Sequence, residues 1–134
     1  MADFTSRERV RAAAGTEDAR RRDAGDVVDD HVRARKELRV EDDLANFAED
    51  VLVLSARGIY RGHAGLRRLW LDLEEQIPAA RFAYGQPVAE GEAALLEWRA
   101  RGDGAQIDDG VDSYLVRHGR IVVQTIHYTV RRQL

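Results

Sequence analysis

Apolar residues in the first half of the chain recur every three to four positions, the spacing that gathers them on one face of a helix. This pattern predicts a first helix over residues 26–38, with Asp26 as its N-cap. A second, shorter helix is predicted over residues 40–50. A third follows over residues 63–77, where an apolar stripe runs along one face until Pro78 ends the helix.

The rest of the chain carries strand signals, in which apolar and polar residues alternate. Two short strands are predicted over residues 51–54 and 58–62. Three longer segments follow at residues 81–89, 92–101 and 106–130. The last of them is broken by a two-residue hairpin loop at His118 and Gly119. Helices first and an antiparallel meander afterwards predict the α+β class, with the helices covering one face of the sheet.

The composition fits one compact domain. The chain has 134 residues, 44% of them hydrophobic, which is enough for a single core. Residues 1–25 mix alanine with charges of both signs, so we predict a charged helical extension there. Residues 26–134 then form the one domain.

Charge and apolar runs narrow the choice of partners. A net charge of -3, with basic residues scattered among acidic ones, disfavours a nucleic-acid partner. No apolar run approaches the ~20 residues of a membrane span, so we expect a cytoplasmic protein without a membrane partner. Cysteine is absent, which excludes thiol chemistry, and the four histidines show no paired spacing, so neither a metal nor a cofactor is expected.

Two stretches resemble the SnoaL-like branch of the nuclear transport factor 2-like superfamily: NFAEDVLVLSARGIYRGHAGLRRLW, residues 46–70, and GVDSYLVRHGRI, residues 110–121. The resemblance covers roughly residues 26–131. It implies a cone-shaped, curved antiparallel sheet wrapped around the N-terminal helices, a cystatin-like α+β barrel with an apolar cavity. The superfamily includes polyketide cyclases, ketosteroid isomerases, epoxide hydrolases, dehydratases and binding modules, so the fold alone does not determine an activity.

Alternation along the long strands indicates which side chains face that cavity. One face of the strand around Trp98 is apolar, whereas the other carries Glu97, Arg99 and Arg101. Unpaired charges are too costly to bury, so the Trp98 face is predicted to point inward. Matching the hairpin to the isomerase branch implies the rest of the inner set: Asp109, Val111, Ser113, Leu115, Gln124, Ile126 and Tyr128.

Four residues are candidates for acid–base catalysis. His31 falls, by resemblance, where the isomerases carry an oxyanion-hole tyrosine, and histidine exchanges protons near neutral pH. Asp109 is the one carboxylate of the predicted inner set, with a solvated position at the rim as the alternative. Asp112 and His127 are the second choice, because the predicted register puts both on the outer face and only a one-residue bulge would reverse this.

Aromatic side chains supply the predicted ligand contacts. By resemblance, Trp70 falls where the isomerase branch has a pocket-lining aromatic residue, and an aromatic wall suits a flat hydrophobic molecule. Ordinary core packing is the alternative for these rings. The predicted ligand-binding residues are Trp70, Tyr84, Trp98, Ser113, Gln124 and Tyr128.

Two functions follow from these residues. A SnoaL-like enzyme would cyclise, isomerise or dehydrate a flat hydrophobic or polyketide-like ligand by cofactor-free acid–base chemistry. A binding or accessory protein would use the same pocket without turnover. Ser55 occupies the position of the isomerase base on a gap-free count from Phe47 and favours this alternative, because it takes no proton near neutral pH.

A homodimer is predicted through the outer face of the sheet. Under the predicted register, that face joins apolar Tyr114, Val116, Ile121 and Val123 to charged neighbours, Asp112 and His127 among them. This is more exposed apolar area than a monomer favours.

Overall fold

The computed structural model describes residues 17–133. Three helices lie wholly within that range: α1 (Ala24–Lys36), α2 (Val40–Leu44) and α3 (Gly62–Gln76). The strands are β1 (Phe47–Ser55), β2 (Gly58–Arg61), β3 (Arg81–Tyr84), β4 (Val88–Glu90), β5 (Ala93–Gly102), β6 (Ala105–Arg117), β7 (Arg120–His127) and β8 (Arg131–Arg132). No helix in this part of the chain is both long enough and apolar enough to cross a membrane.

The first helix begins two residues earlier than predicted, with Asp23 rather than Asp26 as its N-cap. The Asp23 side chain accepts from the Asp26 backbone N–H at 2.9 Å, and the Asp26 side chain accepts from the Asp23 N–H at 3.2 Å. This reciprocal capping box satisfies two backbone donors that a helix start leaves open. Residues 17–20, the described start of the predicted extension, are also helical, whereas residues 1–16 of that prediction lie outside the described range.

The second helix ends earlier than predicted, at Leu44 instead of near Asp50. Phe47 already belongs to β1, whose pairing with β7 starts at Phe47 and Ile121. The carbonyl of Asn46 accepts from the Ile121 N–H at 2.8 Å. Pairing with a strand far along the chain therefore overrides the helical spacing of this short segment, as tertiary contacts commonly do.

The predicted α+β class is confirmed, with the strands forming one curved, unclosed sheet. The strand order is β2-β1-β7-β6-β5-β3, with β4 also paired to β5 and β8 to β6. All pairs are antiparallel except β1 and β7, which run parallel. The core lies between the helices and the inner face of this sheet, and Trp98, 5% exposed, points into it as predicted.

Two bulges change the predicted register of the last strands. The loop at His118 and Gly119 does pair Arg117 with Arg120, but Val122 is then an extra residue, so that Leu115 faces Val123 and Tyr114 faces Gln124. An uninterrupted ladder from the predicted two-residue loop would pair Ser113 with Gln124, whereas Ser113 faces Thr125, so the predicted register is wrong by one residue. On the β5 side, the ladder also shifts between the pairs Trp98–Gly110 and Ala100–Ile107.

These shifts correct several predicted orientations. Asp112, predicted on the outer face, is 6% exposed and lies on the inner face, together with Tyr114. Ser113 lies on the outer face, where its hydroxyl is hydrogen-bonded to that of Thr125. Asp109 is exposed next to the bulge, which is the solvated position given as the alternative, rather than on the inner face. His127 is exposed on the outer face, as predicted, and so points away from Asp112.

The outer face therefore differs from the predicted dimer surface. Tyr114, Val116 and Ile121 are 4%, 2% and 0% exposed and belong to the core. In their place, an apolar row crosses three paired strands, in which Leu52 faces Val123 and Val123 faces Leu115. All three of these outward side chains are half-buried.

Candidate functional site

Asp112 is a buried carboxylate surrounded by hydrogen-bond donors. The indole Nε1–H of Trp98 donates to Asp112 Oδ1 at 3.0 Å. The Tyr114 hydroxyl donates to Oδ2 at 2.9 Å, and the Gln124 Nε2–H donates to the same oxygen at 3.2 Å. The four side chains come from three adjacent strands, β5, β6 and β7, so the sheet itself fixes this cluster.

Burial dominates the acid–base behaviour of Asp112. Removal from water favours the neutral form and raises the pKa of Asp112 from 3.8 to about 6, although the bonds from Trp98 and Tyr114 act in the opposite direction. Burial, with the Asp112 charge as the next cause, also raises the pKa of Tyr114 well above its ordinary value, so this phenol stays a donor. A carboxyl group with a pKa near 6 accepts and returns protons close to neutral pH.

His31 faces the same interior from α1 and is held by a carboxylate on α2. Its Nδ1 lies 2.6 Å from Asp43 Oδ1, and the two side chains are only 6% and 1% exposed. Asn46 Nδ2 donates to the same Asp43 oxygen at 3.5 Å, and the Asn46 side-chain carbonyl accepts from Arg22 Nη1 at 3.2 Å. This chain of contacts orients the imidazole, because the bond at Nδ1 determines what Nε2 presents.

The cavity beside these two groups is small. It measures about 30 Å³ and is lined by His31, Asp112 and Gln124 on its polar side. Its apolar and cationic lining is Arg35, Leu69, Trp70, Leu73, Phe82, Tyr84, Trp98 and Ile126. In this conformation it has room for about one water molecule.

A larger groove adjoins the cavity. It has a volume of about 750 Å³ and shares Arg35, Trp70, Leu73, Phe82 and Tyr84 with the cavity lining. The two spaces therefore meet along those side chains. The groove is within the size range of small-molecule sites, whereas the inner cavity holds the groups that exchange protons.

Several predicted site residues meet at this cavity. His31, Trp70, Tyr84, Trp98 and Gln124 all line it, and so does Asp112, the second-choice candidate. Their roles in binding or catalysis remain predictions.

The other predicted residues lie elsewhere. Asp109 accepts from the Thr129 backbone N–H at 2.8 Å, and this bond lowers the pKa of its exposed carboxyl group. Tyr128 packs its ring 5.7 Å from that of Trp98 and donates its hydroxyl to Gln76 Oε1 at 2.6 Å, outside the lining of either space. Ser113 and His127 point away from the interior.

Tyr114, Asp43 and Arg35 are polar residues of the site that were absent from the predicted set. Tyr114 was missed because the predicted register assigned it to the outer face. Asp43 lies three residues after Val40 and one before Leu44, so helical spacing already placed it beside the apolar stripe. Arg35 follows His31 by one helical turn, and this signal was also present in the sequence.

The stability of the fold is expected to fall as Asp112 ionises. Its folded pKa lies above its ordinary value, so the folded chain retains a proton that the unfolded chain has lost, and stability decreases as the pH rises from about 4 to about 6. Asp112→Asn carries no ionisable group at this position. Relative to that variant, the free energy of unfolding of the parent should fall by about 2 kcal/mol between about pH 4.5 and about pH 7.5. Urea unfolding of both proteins measures this, and a difference that stays constant with pH would contradict the raised pKa.

The site and the fold together define a class of α+β protein. In this class a curved sheet and the helices packed on it surround a cavity, and here that cavity contains a buried carboxyl group. The sequence model of the SnoaL-like domain matches residues 28–124. The chain belongs to the SnoaL-like family.

Solved structures of other proteins share this fold. A nuclear transport factor 2-like protein of unknown function from Burkholderia pseudomallei is 20% identical, with 77% of this chain and 88% of that chain covered and a TM-score of 0.67. A protein from Sinorhizobium meliloti, provisionally described as a polyketide cyclase, is 19% identical over 75% and 93% of the two chains, with a TM-score of 0.64. TerC, co-crystallised with polyporic acid, is 16% identical over 77% and 88%, with a TM-score of 0.65. Among curated proteins, none matches by sequence.

Proposed function

We propose that this chain is an enzyme that moves a proton on a flat hydrophobic small molecule without a cofactor. The observation that carries the proposal is Asp112, a buried carboxyl group with a pKa of about 6 that lines a cavity with His31 and an aromatic wall. Enolisation is the elementary step shared by isomerisation, dehydration and cyclisation of carbonyl compounds. The description of the Sinorhizobium protein as a polyketide cyclase supports the same class of reaction.

Asp112 and His31 have separate parts in this step. The ionised Asp112 takes a proton from carbon next to a substrate carbonyl and later returns it to the product. His31, oriented by Asp43 through Nδ1, is placed to stabilise the charge that develops on the carbonyl oxygen. The aromatic side chains hold the ring system and exclude water.

Deuterium exchange on 2-tetralone in D₂O tests the proposal, because its benzylic C–H next to the carbonyl exchanges only through the enol or enolate. We expect the protein to accelerate the loss of that proton signal in NMR spectra. If 2-tetralone binds and exchange proceeds at the rate in buffer, the proposal fails in favour of a second candidate, binding without turnover. The small inner cavity favours this second candidate, since a bicyclic ring does not enter about 30 Å³ unless the shared wall moves.

We also propose that two copies associate through the outer face of the sheet, now defined by the row Leu52, Val123 and Leu115. Exposed Leu54 and Leu95, 38% and 40% exposed, extend this apolar surface. Two such faces related by a two-fold axis would remove the row from water.

Val123→Glu is expected to convert the dimer to a monomer, because it puts a charge in the middle of an apolar row that the dimer would bury. Sedimentation velocity measures the change. Leu71→Glu, which changes a half-exposed leucine on α3, is the matched control and should leave the dimer intact. A parent protein that sediments as a monomer would refute this interface.

A further inference from the structure

The mouth of the site contains a cation, Arg35, that has no acidic partner in the described part of the chain. Arg35 is half-buried, and its guanidinium carbon lies 5.0 Å from the ring centroid of Trp70 and 6.0 Å from that of Phe82. Among residues 17–133, no carboxylate lies within ion-pair distance of it. A guanidinium group is always charged and presents planar paired donors, the geometry that matches a carboxylate.

The surroundings of Arg35 carry excess positive charge. The groove is lined by four basic side chains, Arg35, Lys36, Arg67 and Arg81, and by one acidic side chain, Glu74. Arg67 is paired with Glu41 at 2.6 Å and is therefore largely neutralised. This basic groove occurs in a chain with a net charge of -3, so it is a local feature that attracts anions rather than a result of overall charge.

The wall next to Arg35 is flat and aromatic. The rings of Phe82 and Tyr84 are stacked, with centroids 6.0 Å apart and planes 12° apart, and Trp70 lines the same groove. Burial raises the pKa of Tyr84, and the nearby Arg35 acts in the opposite direction. Such a surface offers apolar contact for a planar ring and places a charged donor at its edge.

We propose that the ligand of this site is a planar aromatic carboxylate whose acidic group is bound by Arg35. The assignment rests on the proposed function for the location of the reacting groups and specifies its substrate class. The carboxylate lies at the junction of groove and cavity, and the ring lies along Trp70, Phe82 and Tyr84.

Binding of 2-naphthoate and of its neutral isostere 2-naphthamide tests this assignment. Isothermal titration calorimetry gives both dissociation constants, and quenching of the two tryptophans provides a second readout. We expect 2-naphthoate to bind about tenfold more tightly or better, as a charge-assisted bidentate pair implies. Equal affinities, or no binding of either probe at millimolar concentration, would overturn the proposal.

Variants locate the preference on Arg35. In Arg35→Gln we expect the preference for 2-naphthoate to disappear while 2-naphthamide binding persists, which also shows that the variant is folded. Arg35→Lys should retain part of the preference, since it keeps the charge and loses the planar pair of donors. Lys36→Gln removes a neighbouring charge from the same groove and is the matched control.

An equal loss of preference in Lys36→Gln and Arg35→Gln would mean diffuse attraction and would refute the role of Arg35. Retention of the full preference in Arg35→Gln would do the same. These experiments are independent of turnover. A protein that prefers 2-naphthoate and leaves 2-tetralone unchanged refutes the proposed enzyme and retains the anion site. A protein that exchanges 2-tetralone and shows no preference for 2-naphthoate refutes the anion site and retains the proposed enzyme.

Discussion

Asp112→Asn is expected to slow deuterium exchange on 2-tetralone by about 10²–10⁴-fold, the usual contribution of a general base. Asparagine keeps the size of the side chain and cannot accept the substrate proton. The parent rate should rise with pH through about 6 as Asp112 ionises, and this dependence should be absent from the variant. The exchange rate measured by NMR across that range gives both results.

The Asp112→Asn variant should fold, because the side-chain amide N–H that it introduces has an acceptor nearby. The side-chain Oε1 of Gln124 is buried and has no hydrogen-bond partner within the described residues, so it is available to the amide N–H that the substitution introduces. Asp109→Asn is the matched control, since it alters an exposed carboxyl group on the same strand and should leave exchange unchanged. A folded Asp112→Asn protein with the parent rate would assign the proton transfer to another residue.

Trp98→Ala is expected to destabilise the fold by about 3–5 kcal/mol, the range for removing a buried large aromatic side chain. Its ring packs 5.6 Å from Phe82 and 5.7 Å from Tyr128. It also lies directly over Gly110, where an added Cβ would come within 2.3 Å of the indole. Truncation therefore leaves a void that no side chain at position 110 fills, and Asp112 loses the indole donor.

Chemical denaturation of the parent and of Trp98→Ala measures this loss. Glu97→Ala is the control on the same strand, because Glu97 points outward and is exposed. It should cost much less than Trp98→Ala. A similar small effect at both positions would mean that the inner face of β5 contributes little to the core.

The order of elements and the inner face of β5 were predictable from the sequence because each depends on strong local patterns. The apolar stripe ending at Pro78 determined α3. Alternation around Trp98 placed Glu97 and Arg99 outside, since burying them would require partners. His31 was placed in the interior by helical spacing together with the family resemblance.

The orientation of Asp112 was not predictable in the same way. Counting by twos from the hairpin assumes an uninterrupted ladder, and the extra residue Val122 breaks that assumption on β7. The second shift, beside Asp109, moves the only carboxylate of the predicted inner set into solvent. The position of such a bulge depends on hydrogen bonds between neighbouring strands. The alternation of residues along one strand contains no information about those bonds.

Contacts between side chains far apart in sequence account for the remaining difference between the predicted and the observed site. The pairing of His31 with Asp43 depends on how α1 meets α2. The link from Asn46 to Arg22 depends on where the described part of the N-terminal segment crosses the end of the sheet. Both helices were predicted, but their relative placement came only with the structure.

The extra residue Val122 has a consequence for comparing this chain with its relatives. Because it has no counterpart on β6, removing it leaves each pair on either side intact, including Leu115 with Val123 and Tyr114 with Gln124. A homologue shorter by one residue here would keep the same inward set, and a correct alignment would open a single gap at Val122. An ungapped alignment across this hairpin would instead equate interior positions with surface positions and transfer functional roles to the wrong residues.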